Sequence, residues 1–598
     1  MSPAALLRNV LRLLVPVCVA STVWLYLYPV FLGCAFPTPA DRPGPSTAFQ
    51  STLRQHVGSF ASAGSSNKEA DHRLAPFRLL TLGDPQLEGD TSIPNAYRDS
   101  FSHLKSAWQH ATYQTHHASL RWRIRQALHD LVDFYMEDIP DTFESVRKHI
   151  DLFGNDFYLA HIYRTLRWWA RPTHVTVLGD LLGSQWISNE EFARRSWRFW
   201  NRSFAGGERV PDDVAAYPAG EYDVTGLLGS DHANDTVWRR RIINIAGNHD
   251  VGYAGDLTYE RLSRFETAFG KAAYELRFEL PVTNATLNAT LFDPEANPDS
   301  TRLIPELRIV VVNDMNLDTP ALIADLQDKT YSFVNDVINT ASAVEFQGHF
   351  TVVLTHIPMY KRRGICVDPP YFDFHPSEEG GGVREQYQLS ADASKGFLEG
   401  MFGLHANPDA PGGGQGRRGV LLNGHDHEGC DTWHFVNQTD DKDPADRAWD
   451  ALRWEEATAD GVPGRAGHPG LREITVRSMM GQYGGNAGLL SAWFDEETWE
   501  WKYEFTNCAL GTQYPWWFVH ITDLIAMVSF LLYGVLMVLS SAGYDVDQWP
   551  AFIGVPTSTA EETKKTQING KETTTTAPNG HETKNGGVNI TNGVLKKT

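Results

Sequence analysis

The chain reads as an α/β domain held between two membrane-spanning helices. Two observations predict this. Short apolar runs rich in β-branched residues recur through the middle of the chain, and each ends abruptly in Gly, Asp, Asn or His. Runs of that kind are the buried central strands of α/β sheets. Two much longer runs, 13–36 and 516–541, enclose them, and each is long enough to cross a bilayer, which takes about 20 apolar residues. Composition narrows the class further. With 73 acidic against 52 basic residues the formal charge is −21, which is the wrong sign for sequence-independent nucleic-acid binding, so no nucleic-acid partner is expected. Five cysteines in 598 residues cannot form a disulfide framework.

In chain order, residues 1–12 carry Arg8 and Arg12 and are expected on the cytosolic side by the excess of positive charge. The run 13–36 reads LLVPVCVASTVWLYLYPVFLGCAF. A cleaved signal peptide is the alternative, but its apolar core is usually about 7–15 residues, so a retained anchor is expected. Residues 37–76 read as a linker and 77–515 as a luminal domain. The second span, 516–541, opens on Trp516 and Trp517 and continues into LIAMVSFLLYGVLMVL. Two spans put both termini on one face, leaving the middle in the secretory lumen. Asn201, Asn234, Asn284, Asn288 and Asn437 each begin Asn-X-Ser/Thr within that region. There Cys366 and Cys430 are available to pair; Cys18 and Cys34 fall in the first span, and Cys508 just before the second. Residues 542–598 form a cytosolic tail whose Thr, Asn, Gly and Lys content from about Pro556 predicts disorder. Lys596 and Lys597 stand third and second from the end, off the positions of a dilysine retrieval signal.

Within the domain the strands end in polar residues. They are FRLLTLGDPQ (77–86), THVTVLGDLLGS (173–184), RIINIAGNHDVGY (241–253), HFTVVLTHIPMY (349–360) and GVLLNGHDHEGCD (419–431). LRIVVVND (307–314) has the same strand character without a histidine. The C-terminal ends of such strands converge on one edge of a sheet. A single Gly-Asp after a strand is usually a turn, but the set supplies Asp84, Gln86, Asp180, Asn248, His356, His425 and His427. Those seven make a mixed oxygen and nitrogen shell that suits Mn, Zn or Fe.

This ordered set resembles the calcineurin-like metallophosphoesterase superfamily, with its D-X-H, GD, GNHD, H and GHXH pattern, over about Arg78 to Asp426. The resemblance implies a two-sheet β-sandwich flanked by helices, and two divalent metal ions with manganese first among the candidates. One metal would take Asp84, Gln86, Asp180 and His427; the other would take Asp180, Asn248, His356 and His425. A hydroxide held between the metals would attack phosphorus in line. His249 resembles the residue that protonates the leaving group, and Asp250 beside it would orient the imidazole or cap a helix. Gln86 stands where the family pattern has His, and an amide oxygen is the weaker donor.

The order of anchor, motifs, LREITVRSMMGQYGGNAGLLSAWF (471–494) and second span is similar to the membrane-bound phosphodiesterases of the endoplasmic reticulum that remodel GPI anchors, most of all to fungal members. That similarity implies hydrolysis of ethanolamine phosphate from a glycan mannose. It also implies GPI-anchored proteins or GPI glycolipid as substrate, a cargo-receptor interaction, and residence in the endoplasmic reticulum membrane or the early Golgi. Two other readings stay open: a phosphoesterase for another phosphate ester, and a non-catalytic trafficking factor.

Further segments carry less. The insertion 95–172 holds amphipathic stretches such as SLRWRIRQALHDLVDFYMEDI, readable as a cap over the site or as a helical layer on the sheet. LRWWARP (166–172) and RRSWRFWNRS (194–203) are aromatic-basic patches for a glycan or lipid headgroup, or else packed core. Gly runs at 380–382 and 412–414 predict a long flexible loop over 361–418. Asp426 is expected as a turn residue and His174 as structural.

Overall fold

A computed structural model describes residues 2–38, 49, 52, 56, 74–94, 96, 101–114, 119–229, 237–281 and 302–547. Most of the expected linker, the tail from 548 onward and the sequons at Asn234, Asn284 and Asn288 lie outside the described residues. Two sheets face one another. The first has the order β16 (Glu500–Ala509), β15 (Asn486–Asp495), β1 (Phe77–Leu82), β2 (His174–Val177), β5 (Arg241–Asn244), β3 (Glu208–Arg209). The second runs β13 (Trp449–Arg453), β12 (Cys430–Val436), β14 (Gly470–Thr475), β11 (Gly419–Asn423), β8 (Gln347–Leu354), β7 (Arg302–Val311), β6 (Tyr274–Glu279), β4 (Gly226–Leu227). A hairpin of β9 (Phe372–Phe374) and β10 (Val383–Gln386) stands apart.

The helices are α1 (Pro3–Gly33), α2 (Ser102–Ala111), α3 (Leu120–Asp133), α4 (Ile139–Trp169), α5 (Asn189–Arg198) and α6 (Asn248–Val251). They continue as α7 (Tyr259–Phe269), α8 (Ala324–Asn339), α9 (Ala391–Phe402), α10 (Trp454–Ala459) and α11 (Gln513–Ser541).

The strands are apolar on both faces because both are covered. In β1, Phe77 and Leu79 point into the inter-sheet core with Ile243, Leu276, Ile309, Val352, Leu422 and Trp501. The alternate residues Leu80 and Leu82 point outward, against Tyr158, Leu159 and Ile162 of α4. The alternation of a strand therefore assigns every second residue to each layer. β1, β2 and β5 are parallel in the first sheet, and β14, β11, β8 and β7 in the second. Their carboxyl ends lie along a common edge. There Gly83 bridges to Ser478, whose hydroxyl donates to the Asp84 carbonyl at 3.0 Å, joining the two sheets.

A charged tie lies behind that edge. Glu473 on β14 is fully buried and receives Lys361 Nζ at 2.5 Å, His434 Nε2 at 2.6 Å, Asn423 Nδ2 at 2.6 Å and the Met359 amide at 2.7 Å. Burial raises this carboxyl, but Lys361 and His434 outweigh it and hold it well below the usual range. The tie fixes the segments that follow β8 and end β11.

Two helices, α1 and α11, are long and apolar enough to cross a membrane, and they pack together. α1 starts ten residues before the expected span and ends at Gly33. Thr22 donates to Asp523 at 3.0 Å, and Tyr26 meets His520 Nε2 at 3.2 Å, so the polar residues of α11 are used between the helices rather than at a water-facing edge. Cys366 pairs with Cys430, as the sequence allowed. Cys34 pairs with Cys508, a bond not expected, because Cys34 stands just past the end of α1 and not inside a span.

Residues 361–418 are not one flexible loop. They form β9, β10 and α9, and are pinned by the Cys366–Cys430 bond. The basic stems of 194–203 are spent inside the domain: Arg195 is buried on Glu191 at 2.8 Å, and Arg198 and Arg202 hold the buried Asp156 at 2.6 and 3.1 Å.

Removing one partner of a buried pair strands the other charge, at a cost of about 3–5 kcal/mol. Glu473→Gln is therefore expected to lower the thermal unfolding midpoint markedly. The carboxyl is depressed in the folded state, so its contribution is present above about pH 4.3, the unfolded Glu value, and is lost as pH falls below it. The gap between wild type and variant should shrink when melting is repeated below pH 4.

Candidate metal centre

The ligand candidates follow their strands by two to four residues. Asp84 and Gln86 follow β1, Asp180 follows β2, Asn248 follows β5, His356 follows β8, and His425 and His427 follow β11. The backbone there is unusual. Asp84 (φ 44°), Gln86 (φ 38°), Asp180 (φ 50°) and His425 (φ 71°) are left-handed, four of only seven such non-glycine residues among those described. Conformations of this kind persist where the surroundings over-determine them, and they cluster at functional sites. Close approach needs glycine beside them: a Cβ on Gly179 would stand 2.1 Å from His356 Nδ1, and one on Gly247 would stand 2.3 Å from Asp180 Oδ1.

All seven predicted ligands come together. Asp180, His356 and His425 offer donor atoms within 4.8 Å of one another, and so do Asp84, Asp180 and His427. The two groups share Asp180. Asn248 Oδ1 lies 3.0 Å from both His356 Nε2 and His425 Nδ1, which adds it to the first group. The Gln86 amide lies 2.9 Å from Asp180 Oδ2 and 3.1 Å from His427 Nε2, which adds it to the second. Rotation about its last bond exchanges the amide nitrogen and oxygen, so its oxygen can take that place.

The imidazoles are held from behind. His356 Nδ1 donates to the Leu178 carbonyl at 2.7 Å, leaving Nε2 for the site. His427 Nδ1 meets Tyr483 Oη at 3.1 Å, leaving Nε2. His425 Nε2 meets the Gln386 carbonyl at 2.9 Å, leaving Nδ1. Such partners fix tautomer and ring orientation.

A second set of carboxylates holds the loops. Asp250 turns away from His249 and accepts from the amides of Gly247 (3.0 Å), Leu181 (3.1 Å) and Leu182 (3.0 Å). This corrects the expectation that it orients the His249 imidazole, and it agrees with the capping alternative. Asp314, on the segment singled out for lacking a histidine, accepts from the amides of His356 (3.2 Å) and Ile357 (2.8 Å). Sequence reading assigned Asp314 no role; an Asp closing an apolar run of the same kind as the ligand-bearing ones was the available signal. Asp426 closes the turn before Gly429, and His174 is buried among Phe77, Trp238 and Phe278, both as expected.

Burial pushes the Asp84 carboxyl up to about 8, with Asp180 adding to it and His356 opposing it. Burial also raises Asp180, but His249, His356 and His425 outweigh it and hold that carboxyl below the usual range. Burial works against charge on His356, yet Asp180 and Asp84 push it up to about 10, while burial brings His425 down to about 3. Two buried carboxylates thus compete for positive charge within one shell of oxygen and nitrogen donors. The donor set fits divalent cations of the manganese, zinc and iron class.

A cavity of about 470 Å³ opens in front of these groups. His249 forms part of its wall, with its side chain 37% exposed and Nε2 3.8 Å from Asp180 Oδ2. Asp368, His375, Arg384 and Tyr387 also line it, on the segment around β9 and β10 that sequence reading treated as loop.

No family model matches the chain. It is 32% identical to Protein TED1 of Saccharomyces cerevisiae over 416 residues, covering 63% of this chain and 76% of that protein. The chain belongs to the calcineurin-like metallophosphoesterases. Within this family it is also 24% identical to an uncharacterized Schizosaccharomyces pombe protein, over 64% of this chain and 81% of that one. Metallophosphoesterase 1 of Danio rerio is 21% identical over 295 residues, 48% of this chain and 61% of that protein. Family membership and the two donor groups together support a phosphoesterase that uses divalent metal.

Asp180 is the common donor, so Asp180→Asn should remove nearly all tightly bound metal. Gln86→Ala, which touches one group, should lower occupancy by about one ion per chain. Mass spectrometry of metal content on the purified full chain separates these outcomes.

Proposed function

We propose that this protein is a dinuclear, metal-dependent phosphodiesterase that removes ethanolamine phosphate from a mannose of the GPI glycan in the lumen of the endoplasmic reticulum. The observation that carries the dinuclear reading is the pair of donor groups sharing Asp180. Two divalent metals held by these groups would supply Lewis acidity toward the phosphate oxygens and a water of lowered pKa. The seven proposed ligands are Asp84, Gln86, Asp180, Asn248, His356, His425 and His427, with manganese the first candidate metal.

The chain's own residues do the rest. His249 stands on the cavity wall, where Nε2 can hand a proton to the departing mannose oxygen. Arg384, which lines the cavity and is paired with Asp373 at 2.8 Å, offers its guanidinium to an anionic or hydroxyl-rich group beyond the scissile bond. Asp250 and Asp314 act only through the loops they hold.

A membrane-bound substrate is supported by what the site is built against. Tyr483, in contact with His427, lies in the turn Gly481–Tyr483, which packs on Gln513, the first residue of α11. Glu88, two residues from Gln86, pairs with Lys148 of α4 at 2.9 Å, and α4 in turn packs on both candidate spans. A lipid-linked phosphodiester near the membrane surface would therefore reach the cavity. GPI-anchored proteins or GPI glycolipid are the proposed substrates, and a receptor for their export is a proposed partner. Another phosphate ester remains the second reading, because the donor set recognises phosphate and not the alcohol attached to it.

The test is hydrolysis by the full chain in detergent. Release of phosphoethanolamine from a GPI glycan, lost in Asp180→Asn, is expected. Release of phosphate from p-nitrophenyl esters alone would discard the glycan substrate. His249→Gln should slow glycan hydrolysis about 10²–10⁴-fold at unchanged metal content, and slow a p-nitrophenyl diester much less, since that leaving group needs no proton.

Topology is checked separately. Asn201 is exposed on the domain and should carry an endoglycosidase-sensitive glycan. A further triplet, Asn589-Ile590-Thr591 in the tail, should not.

A further inference from the structure

α3 runs through a π-helical turn, Phe134–Asp138, directly into α4, and α2 folds back against α3. From Leu120 to Phe153 this arm carries apolar residues at steps of three and four, which is one face of a helix. That face points outward. Leu128 is 59% exposed, Phe143 73% and Ile150 56%, with Leu120, Ile124 and Val146 equally open. Some of its polar groups point inward: Asp130 is 4% and Asp138 5% exposed. Ser106 and Gln126 donate to Asp130, and His103 pairs with Asp138 at 2.8 Å. Arg123, also buried, donates to the His110 carbonyl.

An arm that turns a continuous apolar stripe outward, buries Arg123, Asp130 and Asp138, and keeps other charges such as Arg121, Arg125 and Arg147 beside the stripe is a poor fit to water alone. It is correct for lipid, where apolar surface faces the chains and polar groups must be satisfied internally. We infer that α2, α3 and the first half of α4 lie in the interfacial layer of the same bilayer that α1 and α11 cross.

Three further observations favour a bilayer over a protein partner. The apolar stripe runs without a break into the span pair: Gly154, one residue past its end, has space only for Trp517 of α11, and Tyr158 meets Trp516 edge to face. Phe518 and Ile521, the next outward residues of α11, are exposed in turn. Exposed aromatics mark the arm, namely Trp108, Tyr113 and Tyr135, beside exposed Arg121 and Arg125. That is the mixture found at lipid headgroup level. Finally, α2 and α3 enclose an apolar groove of about 390 Å³ between Leu104, Trp108, Ile124 and Leu128, open along one side, as an acyl chain needs.

The inference rests on reading α1 and α11 as spans and not on catalysis. Its test uses the full chain, one copy per phosphatidylcholine nanodisc. Single cysteines are placed at Leu128→Cys and Ile150→Cys, with Glu497→Cys in the β15–β16 turn as the aqueous control, all in a Cys18→Ala background. Each is spin-labelled, and accessibility to oxygen is compared with accessibility to nickel-EDDA. The labels at 128 and 150 are expected to favour oxygen severalfold, and the label at 497 to favour nickel-EDDA. Nickel-EDDA accessibility at 128 and 150 equal to that at 497 would place the arm in water and overturn the inference. Low accessibility to both reagents would overturn it too, in favour of cover by another part of this chain. Recovery of both properties only in discs holding two copies would assign the face to a second copy instead. Because the substituted side chains are exposed, a melting midpoint matching the parent confirms folding.

Discussion

The Asp180 carboxylate is the constraint on which the rest of the arrangement depends. It must face donors from both sheets at once, His356 and His425 on one side and Gln86 and His427 on the other. A carboxylate so buried is stable only with positive charge opposite it. The sandwich is built to allow this. Parallel strands deliver their carboxyl ends to one edge, the bridge from Gly83 to Ser478 draws the two sheets together there, and glycine at 179 and 247 lets backbones come within reach. Left-handed backbone at four of the seven donors is the local strain that this convergence exacts.

Around that shell, carboxylates do two different jobs. Asp84 and Asp180 turn toward the donors, whereas Asp250 and Asp314 accept backbone amides and hold the loops that carry them. Glu473 does the same work one layer deeper, with Lys361 balancing its charge. Rigid support matters because a shared ligand must be right for two groups simultaneously; an error in one loop would be felt by both.

The membrane enters the same logic. The Cys34–Cys508 bond and the contacts of α4 with α1 and α11 fasten the folded domain to the two helices, and Tyr483, which holds His427 from behind, lies in a turn packed on the start of α11. The segment around β9 and β10 supplies the rest of the cavity's lining.

How much of this was legible in the sequence follows from distance along the chain. Each donor sits two to four residues after an apolar run, so strand, turn and ligand are read from one short window. For that reason all seven donors and the two long helices were found. His249 was placed on the cavity, but Asp250 was not readable: whether an Asp orients a neighbouring imidazole or a loop depends on which way its chain leaves the helix. Asp314 ends a run that was singled out but has no histidine to mark it, while Tyr483 and the lining residues at 368–387 meet the motifs only after the sheets close. Cys34 and Cys508, 474 residues apart, pair because α1 ends where β16 ends. The amphipathic pattern at 119–139 was visible, but its direction was not, since periodicity gives a helix two faces and says nothing about which one is buried. The sequence by itself determined which atoms can ligate and where they leave their strands, because both are local properties of a few residues. Tertiary structure alone decided which carboxylates gather with the imidazoles, which ones only hold loops and which helix face is left exposed, because those depend on neighbours hundreds of residues away.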